Sequence, residues 1–379
     1  MLTNGWDRIA YNVLRGLSTA NLKVVFGTDK NKGMGFFSKY TYSKFLHADY
    51  NSEPEKFIDD ISKKIIQLKP SVYIPTGEEV FTVAKYINQF NNLEIKIPIA
   101  SYDSLIKLHN KSISFKIASD LGIPVPKSII PNSAKEIIAF ADEVGYPLVF
   151  KSFLSSSSKG VYFVDEVISE KELEGFLIKN NLNYRNFIVQ QNVRGSGYGV
   201  SVLFNKGELK ALFTHKRIRE RIVSGGPSTL RVSTHQSELE DYAVRLLKSV
   251  NFHGVAMVEF KYDEEKKQGW FIEVNPRFWG SIGLAVNSGV NFPYLLYRMA
   301  IDGDVNSVTD YKIGVKYKWL LGNISGVINQ IRATKNLGAL KNLFNNNDGF
   351  DDLYADDPKP FFAMIYLIAK RNLRNKFSK

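Results

Sequence analysis

Cysteine is absent from the chain. That excludes disulfides, thiolate metal sites and a cysteine nucleophile, and it fits a reducing, cytoplasmic setting. No apolar run approaches the roughly 18 residues that a bilayer span needs. The opening residues, MLTNGWDRIAYNV, lack a basic start followed by an apolar stretch, so no signal peptide is expected. A glycine-rich dinucleotide fingerprint is missing too. Where GxGxxG would follow a first strand, the chain has Asn4-Gly5-Trp6-Asp7-Arg8, and Asp29 alone does not make a nicotinamide site. There is no internal repeat and no nucleic-acid-reading motif, and low complexity is confined to Ser155–Ser158 and Asn345–Asn347.

What is present is ordinary globular material. The chain has 379 residues, 44% hydrophobic and 23% charged, enough for two or three packed domains. Its formal net charge of +12 suits nucleic acid, an anionic membrane surface or an anionic small substrate such as a nucleotide. The basic residues are dispersed, which argues against nucleic acid and for solubility or a small anion.

The first hundred residues alternate strand and helix patterns. Ile9, Val13 and Leu17 mark a helix, LKVVFGTD a buried strand, residues 54–68 an amphipathic helix, and SVYIPTGEE a strand with a polar end. This rhythm implies a small parallel sheet with ligands near its carboxyl ends. From about residue 109 the texture changes: helices and strands lead through YPLVFKSF, a serine-rich loop and VYFV to a block of longer strands.

Two of those strands carry the chemistry. GVAMVEFKY and GWFIEVNPRF are separated by the polar segment DEEKKQG. In a hairpin, period-two alternation brings Glu259 beside Glu273 and Asn275. Two carboxylates and an amide oxygen suit Mg²⁺, which takes few protein ligands and fills its shell with phosphate oxygens. Arg277 follows Pro276 and can turn towards a bound anion, where its planar fork suits phosphate. The plain alternative is a surface hairpin, but acids inside VAMVEF and FIEVNP are costly to bury without counter-charge.

FIEVNPRFWGS resembles the metal-binding motif of the ATP-grasp superfamily, and GVAMVEF resembles the strand before it. That superfamily includes biotin carboxylase, carbamoyl phosphate synthetase and D-alanine–D-alanine ligase. The resemblance runs from residue 1 to about 305 and is closest to the carbamoyl-phosphate-synthetase-like branch of carboxylate–amine ligases. It implies ATP and Mg²⁺ as cofactors, with one ion or two and Mn²⁺ as a substitute. Glu259, Glu273 and Asn275 would hold the metal, and Arg277 the transferring phosphate. Lys111, in HNKSISFKIASDLGIPVP, and Lys151, ending YPLVFKSF, match the nucleotide-phosphate lysines. Ser156, Ser157, Ser158 and Gly160 fall in the phosphate loop, here serine-rich where the family has glycine. Gln190, Gln191, Asn192 and Val193 occupy the adenine-recognising connection, and Arg217 faces the γ-phosphate and the carboxylate substrate. His215 reads as packing or solvent-facing rather than as a general base.

The implied architecture combines α/β and α+β parts. Residues 1–108 form a Rossmann-like domain, 109–186 the small ATP-grasp lobe, 187–305 the larger lobe with the metal site, and 306–379 an appended module. The implied reaction joins a small carboxylate to an amine through an acyl phosphate. A carbamoyl-type reaction on bicarbonate or ammonia, or nucleotide binding without catalysis, are the alternatives. Specificity is expected around Thr76–Glu79 and Arg217–Thr229. The tail pairs apolar FFAMIYLIA with basic KRNLRNKFSK, which reads as a packed helix or as a peripheral contact with the inner membrane face. Nothing in the sequence specifies the substrates or the oligomeric state.

Overall fold

The computed structural model describes all residues except 5, 30–31, 154–159, 167–168, 185, 223–224, 345 and 378–379. The N-terminal part has the expected parallel sheet. Strands Val24–Thr28 and Thr41–Leu46 pair in parallel, and parallel bridges join Leu2 to Phe26, Leu2 to Ile74 and Val72 to Lys96. Leu2, Phe26 and Tyr73 are fully buried, as a parallel sheet covered on both faces requires. The helix expected from Ile9, Val13 and Leu17 spans Arg8–Ser18. Asp7 caps it, accepting from Ile9 N at 2.8 Å and Ala10 N at 3.2 Å. The amphipathic helix is Pro54–Leu68, with proline in its first turn, where no donor is missed. Glu79 locks the turn after residue 74. It accepts from Thr3 Oγ1 at 2.9 Å, Thr76 N at 2.8 Å and Gly77 N at 3.1 Å, and burial raises its pKa to about 6.

A four-stranded antiparallel sheet forms the small lobe, in the order Ser128–Ile129, Phe187–Gln191, Leu148–Ser152, Val161–Val164. Helices Ala134–Val144 and Glu170–Lys179 supply Ile137, Phe140, Leu173 and Leu177 to a core shared with Leu148, Phe150, Phe187 and Val189. The strand Phe187–Gln191 therefore belongs to this lobe, not to the larger one that a boundary at 187 implies. Its apolar residues match the Phe150 side of the small core, and the turn into the next sheet comes only at Asn192–Gly195.

The larger lobe is a seven-stranded sheet. Gln268–Asn275, Gly254–Asp263, Ser196–Asn205, Glu208–Ile222 and Gly225–Thr234 run antiparallel in that order. Lys316–Lys318 and Gly349–Phe350 then extend the sheet. Residues 306–379 are thus not appended. They complete the sheet and tie it to the first helix: Asn12 Nδ2 donates to Asp351 O at 2.7 Å, and Tyr11 Oη to Asp357 Oδ2 at 3.1 Å. The chain ends on the helix Lys359–Phe377. Among the described residues, no helix is long and apolar enough to cross a membrane.

Candidate active site

The hairpin register places Glu259 directly opposite Glu273 and Met257 opposite Asn275. Asn275 Nδ2 donates to Glu259 Oε1 at 3.0 Å. Burial lifts the Glu259 pKa above the usual carboxylate range; Arg217 opposes the shift, and the charge of Glu273 adds to it. Among the described residues, no group of three or more His, Cys, Asp or Glu side chains is arranged for a metal. A cation at this hairpin would instead take two carboxylates, an amide oxygen and oxygens from outside the protein. That is a donor set for a hard divalent ion, and such an ion would relieve the repulsion between the facing acids.

Cations surround the pair. The Arg217 guanidinium is ion-paired with Glu259 Oε2, and its other arm meets Glu220 at 3.3 Å. Burial opposes the Arg217 charge, but Glu259 and Glu220 together hold its pKa above the ordinary value. Lys111 opens the helix Lys111–Asp120, is only 2% exposed, and sits 3.4 Å from Glu273 Oε2. It is therefore not a solvated helix lysine. Lys151 is buried at the end of its strand, and burial lowers its pKa to about 8, with Glu273 pulling up and Lys111 pushing down. Arg277 reaches back to the N-terminal domain, 3.4 Å from Glu78 Oε1. Within Thr76–Glu79, one of the two segments expected to provide specificity, Glu78 thus meets Arg277, while Glu79 holds the turn.

Strands Leu148–Ser152 and Val161–Val164 pair antiparallel, and Ser152 N donates to Gly160 O at 2.9 Å. Gly160 has φ +67°, a conformation that glycine adopts without strain. Ser156, Ser157 and Ser158 lie outside the described residues. Gln190 pairs with Ser128 on one side and Val149 on the other, and Gln191 N donates to Lys127 O at 2.9 Å. Asn192 and Val193 follow the strand, and Val193 O accepts from Lys261 Nζ at 3.2 Å.

Glu259, Glu273, Asn275, Arg217 and Arg277 line one cavity of about 190 Å³. Residues not singled out from the sequence join them: Arg8 from the N-terminal domain, Arg231, and Trp279 and Ser281 at the end of the FIEVNPRFWGS run. His215, read from sequence as packing or solvent-facing, is buried and also lines the cavity.

Residues 183–322 match the family model described as ATP-grasp in the biosynthetic pathway with Ter operon. Acetyl-CoA carboxylase 1 of Oryza sativa subsp. japonica is 31% identical over 160 residues, which is 40% of this chain but only 7% of that protein. The ATP-analogue complex of biotin carboxylase from Campylobacter jejuni superimposes with a TM-score of 0.67 at 16% identity, covering 83% of this chain and 73% of that one. An ADP complex of N5-carboxyaminoimidazole ribonucleotide synthetase gives 0.66 at 16% identity, covering 88% and 85%. At such identities the likeness is one of fold.

Proposed function

We propose that this chain, whose residues 183–322 match an ATP-grasp family model, is an ATP-grasp, ADP-forming ligase that joins a small carboxylate to an amine. The observation that carries the reading is the facing Glu259–Glu273 pair with Asn275, enclosed by Lys111, Lys151, Arg217 and Arg277. ATP lies between the two lobes with its phosphates at this cluster. Glu259, Glu273 and Asn275 would hold Mg²⁺, which would supply charge neutralisation at the phosphoryl oxygens. Lys111, Lys151 and Arg277 hold the phosphates in line, and Arg217 positions the carboxylate substrate.

In the first step a substrate carboxylate oxygen attacks the γ-phosphorus, the bond to the β-phosphate oxygen breaks, and ADP leaves. The amine then attacks the acyl carbon, phosphate departs with the bonding pair, and the nitrogen sheds a proton. No protein nucleophile is needed, in keeping with a chain that has no cysteine. With hydroxylamine in place of the amine, a hydroxamate should accumulate in step with ADP when a pool of amino acids and sugar acids is screened. AMP and pyrophosphate as products would overturn the mechanism.

The Lys151 pKa sets a pH limit on the nucleotide. Below about 8 the ammonium is present in the free protein, and above it the charge is lost. Mg-ATP affinity should therefore hold steady near pH 7 and weaken as pH rises past 8, read by calorimetry. Lys151→Arg keeps its charge across that range and should flatten the profile. An unaltered profile in that variant would remove Lys151 from the phosphate site.

The C-terminal helix carries a second part of the proposal, a contact with anionic lipid. Phe362, Ile365 and Tyr366 follow i, i+3, i+4 spacing and are 62%, 41% and 62% exposed. The sequence then continues Lys370, Arg371, Arg374, Lys376, Lys379 without an acid. Each basic residue at an anionic surface contributes about 1 kcal/mol. The full chain should co-sediment with anionic vesicles at low salt, and a form ending at Ala369 should not. Equal behaviour of the two forms would leave the helix without this role.

A further inference from the structure

The cavity that contains the carboxylate pair continues beyond it, and its far wall is rich in donors. Across the sheet, Glu273, Glu259, Gly199, His215 and Ser233 stand in one register row. The His215 ring lies over Gly199, where an added Cβ would come within 2.4 Å of His215 Cε1. His215 is two strands beyond Glu259, roughly 10 Å at the usual strand spacing.

Four buried nitrogens in the cavity lining have no hydrogen-bond partner among the described residues: His215 Nδ1, Arg217 Nε, Arg231 Nε and Trp279 Nε1. Arg8 lines the same space. Its Nε donates to Gly280 O at 3.3 Å, and its guanidinium stacks on Trp319 at 3.7 Å. Arginine and indole N–H groups only donate, and a neutral imidazole donates from one nitrogen. Buried donors without acceptors are costly, so a wall holding several of them suits an acceptor-rich anion. A volume of about 190 Å³ equals about six waters at ~30 Å³ each, room for a small organic acid.

We propose that the acid substrate is a small dicarboxylate. One carboxylate lies at the Glu259–Glu273 end, where it is phosphorylated, and the other is held by Arg8, His215 and Trp279, beside the Nε of Arg231, whose Nη2 is already paired with Asp351. The phosphorylation rests on the ligase reading; the second carboxylate's site does not. Arg8, His215 and Trp279 are then specificity-determining residues.

The test is calorimetry on the full chain with succinate, L-malate and butyrate, each with and without Mg²⁺ and a non-hydrolysable ATP analogue. The diacids should bind at least tenfold more tightly than butyrate. Trp279→Phe keeps an aromatic ring and removes only the N–H donor; Arg8→Gln removes the cation. Each should weaken diacid binding about tenfold and leave butyrate and the nucleotide analogue within twofold. Equal affinity for diacid and monoacid, no binding of either diacid, or a diacid preference unmoved by both variants overturns the proposal. Diacid binding that persists while the nucleotide analogue fails to bind supports this site and sinks the ligase reading instead.

Discussion

Glu273→Gln should abolish Mg²⁺-dependent turnover and leave the chain folded. The substitution keeps the shape of the side chain and one oxygen, but it removes half of the paired charge opposite Glu259. Metal stabilisation of a phosphoryl transition state is worth several kcal/mol, so the rate should fall at least about a hundredfold. Some stability is lost as well, because buried Lys111 loses the carboxylate 3.4 Å away. That loss is smaller than for a fully buried pair, since the Glu273 side chain keeps 21% exposure. ADP release at saturating Mg²⁺, compared with far-ultraviolet circular dichroism of the same sample, separates the two effects. Asp241→Asn, which removes an exposed helix carboxylate paired with Arg245, is the control. Full activity in Glu273→Gln would remove the metal from this hairpin.

The hairpin was legible because its signal is local. Two strands with a short polar connection and period-two alternation fix which side chains face each other, and the register agrees. The same holds for Pro54–Leu68, where helix start, period and length are all written in 15 residues. What escaped was contact between distant segments. Nothing near Arg8 in the sequence points to Gly280, 272 positions away, nor does anything near Arg217 point to Glu259, two strands across the sheet. Lys111 and Lys107 look alike as sequence. Yet Lys107 pairs with Asp103 on an exposed surface, while Lys111 is buried against Glu273. The difference is set by what the helix packs on, which helical periodicity does not encode. In the tail, the basic run drew the reading towards the surface and hid the acids Asp351, Asp352 and Asp357, all buried.

Those acids lead to the second large effect. Asp351→Ala should destabilise the chain by about 3–5 kcal/mol, because it leaves a buried guanidinium without its counter-charge. The Arg231 and Asp351 side chains are 1% and 0% exposed and form a direct ion pair. Arg231 NH1 also donates to Ser228 O at 2.9 Å, which does not replace the lost charge. Asp356→Ala is the comparison. That acid pairs with Arg15 at 3.0 Å on the same segment, but it is 44% exposed, and water and salt screen the pair, so the cost should stay within about 1 kcal/mol. Urea unfolding of both variants measures the difference. A large loss confined to Asp351→Ala means that residues 306–379 are part of one cooperative unit with the large sheet and the first helix. It should also loosen the cavity, since Arg231 lines it. Equal, small losses in the two variants would mean that the C-terminal segment can detach without cost to the rest, and the sheet would then hold Arg231 by other means.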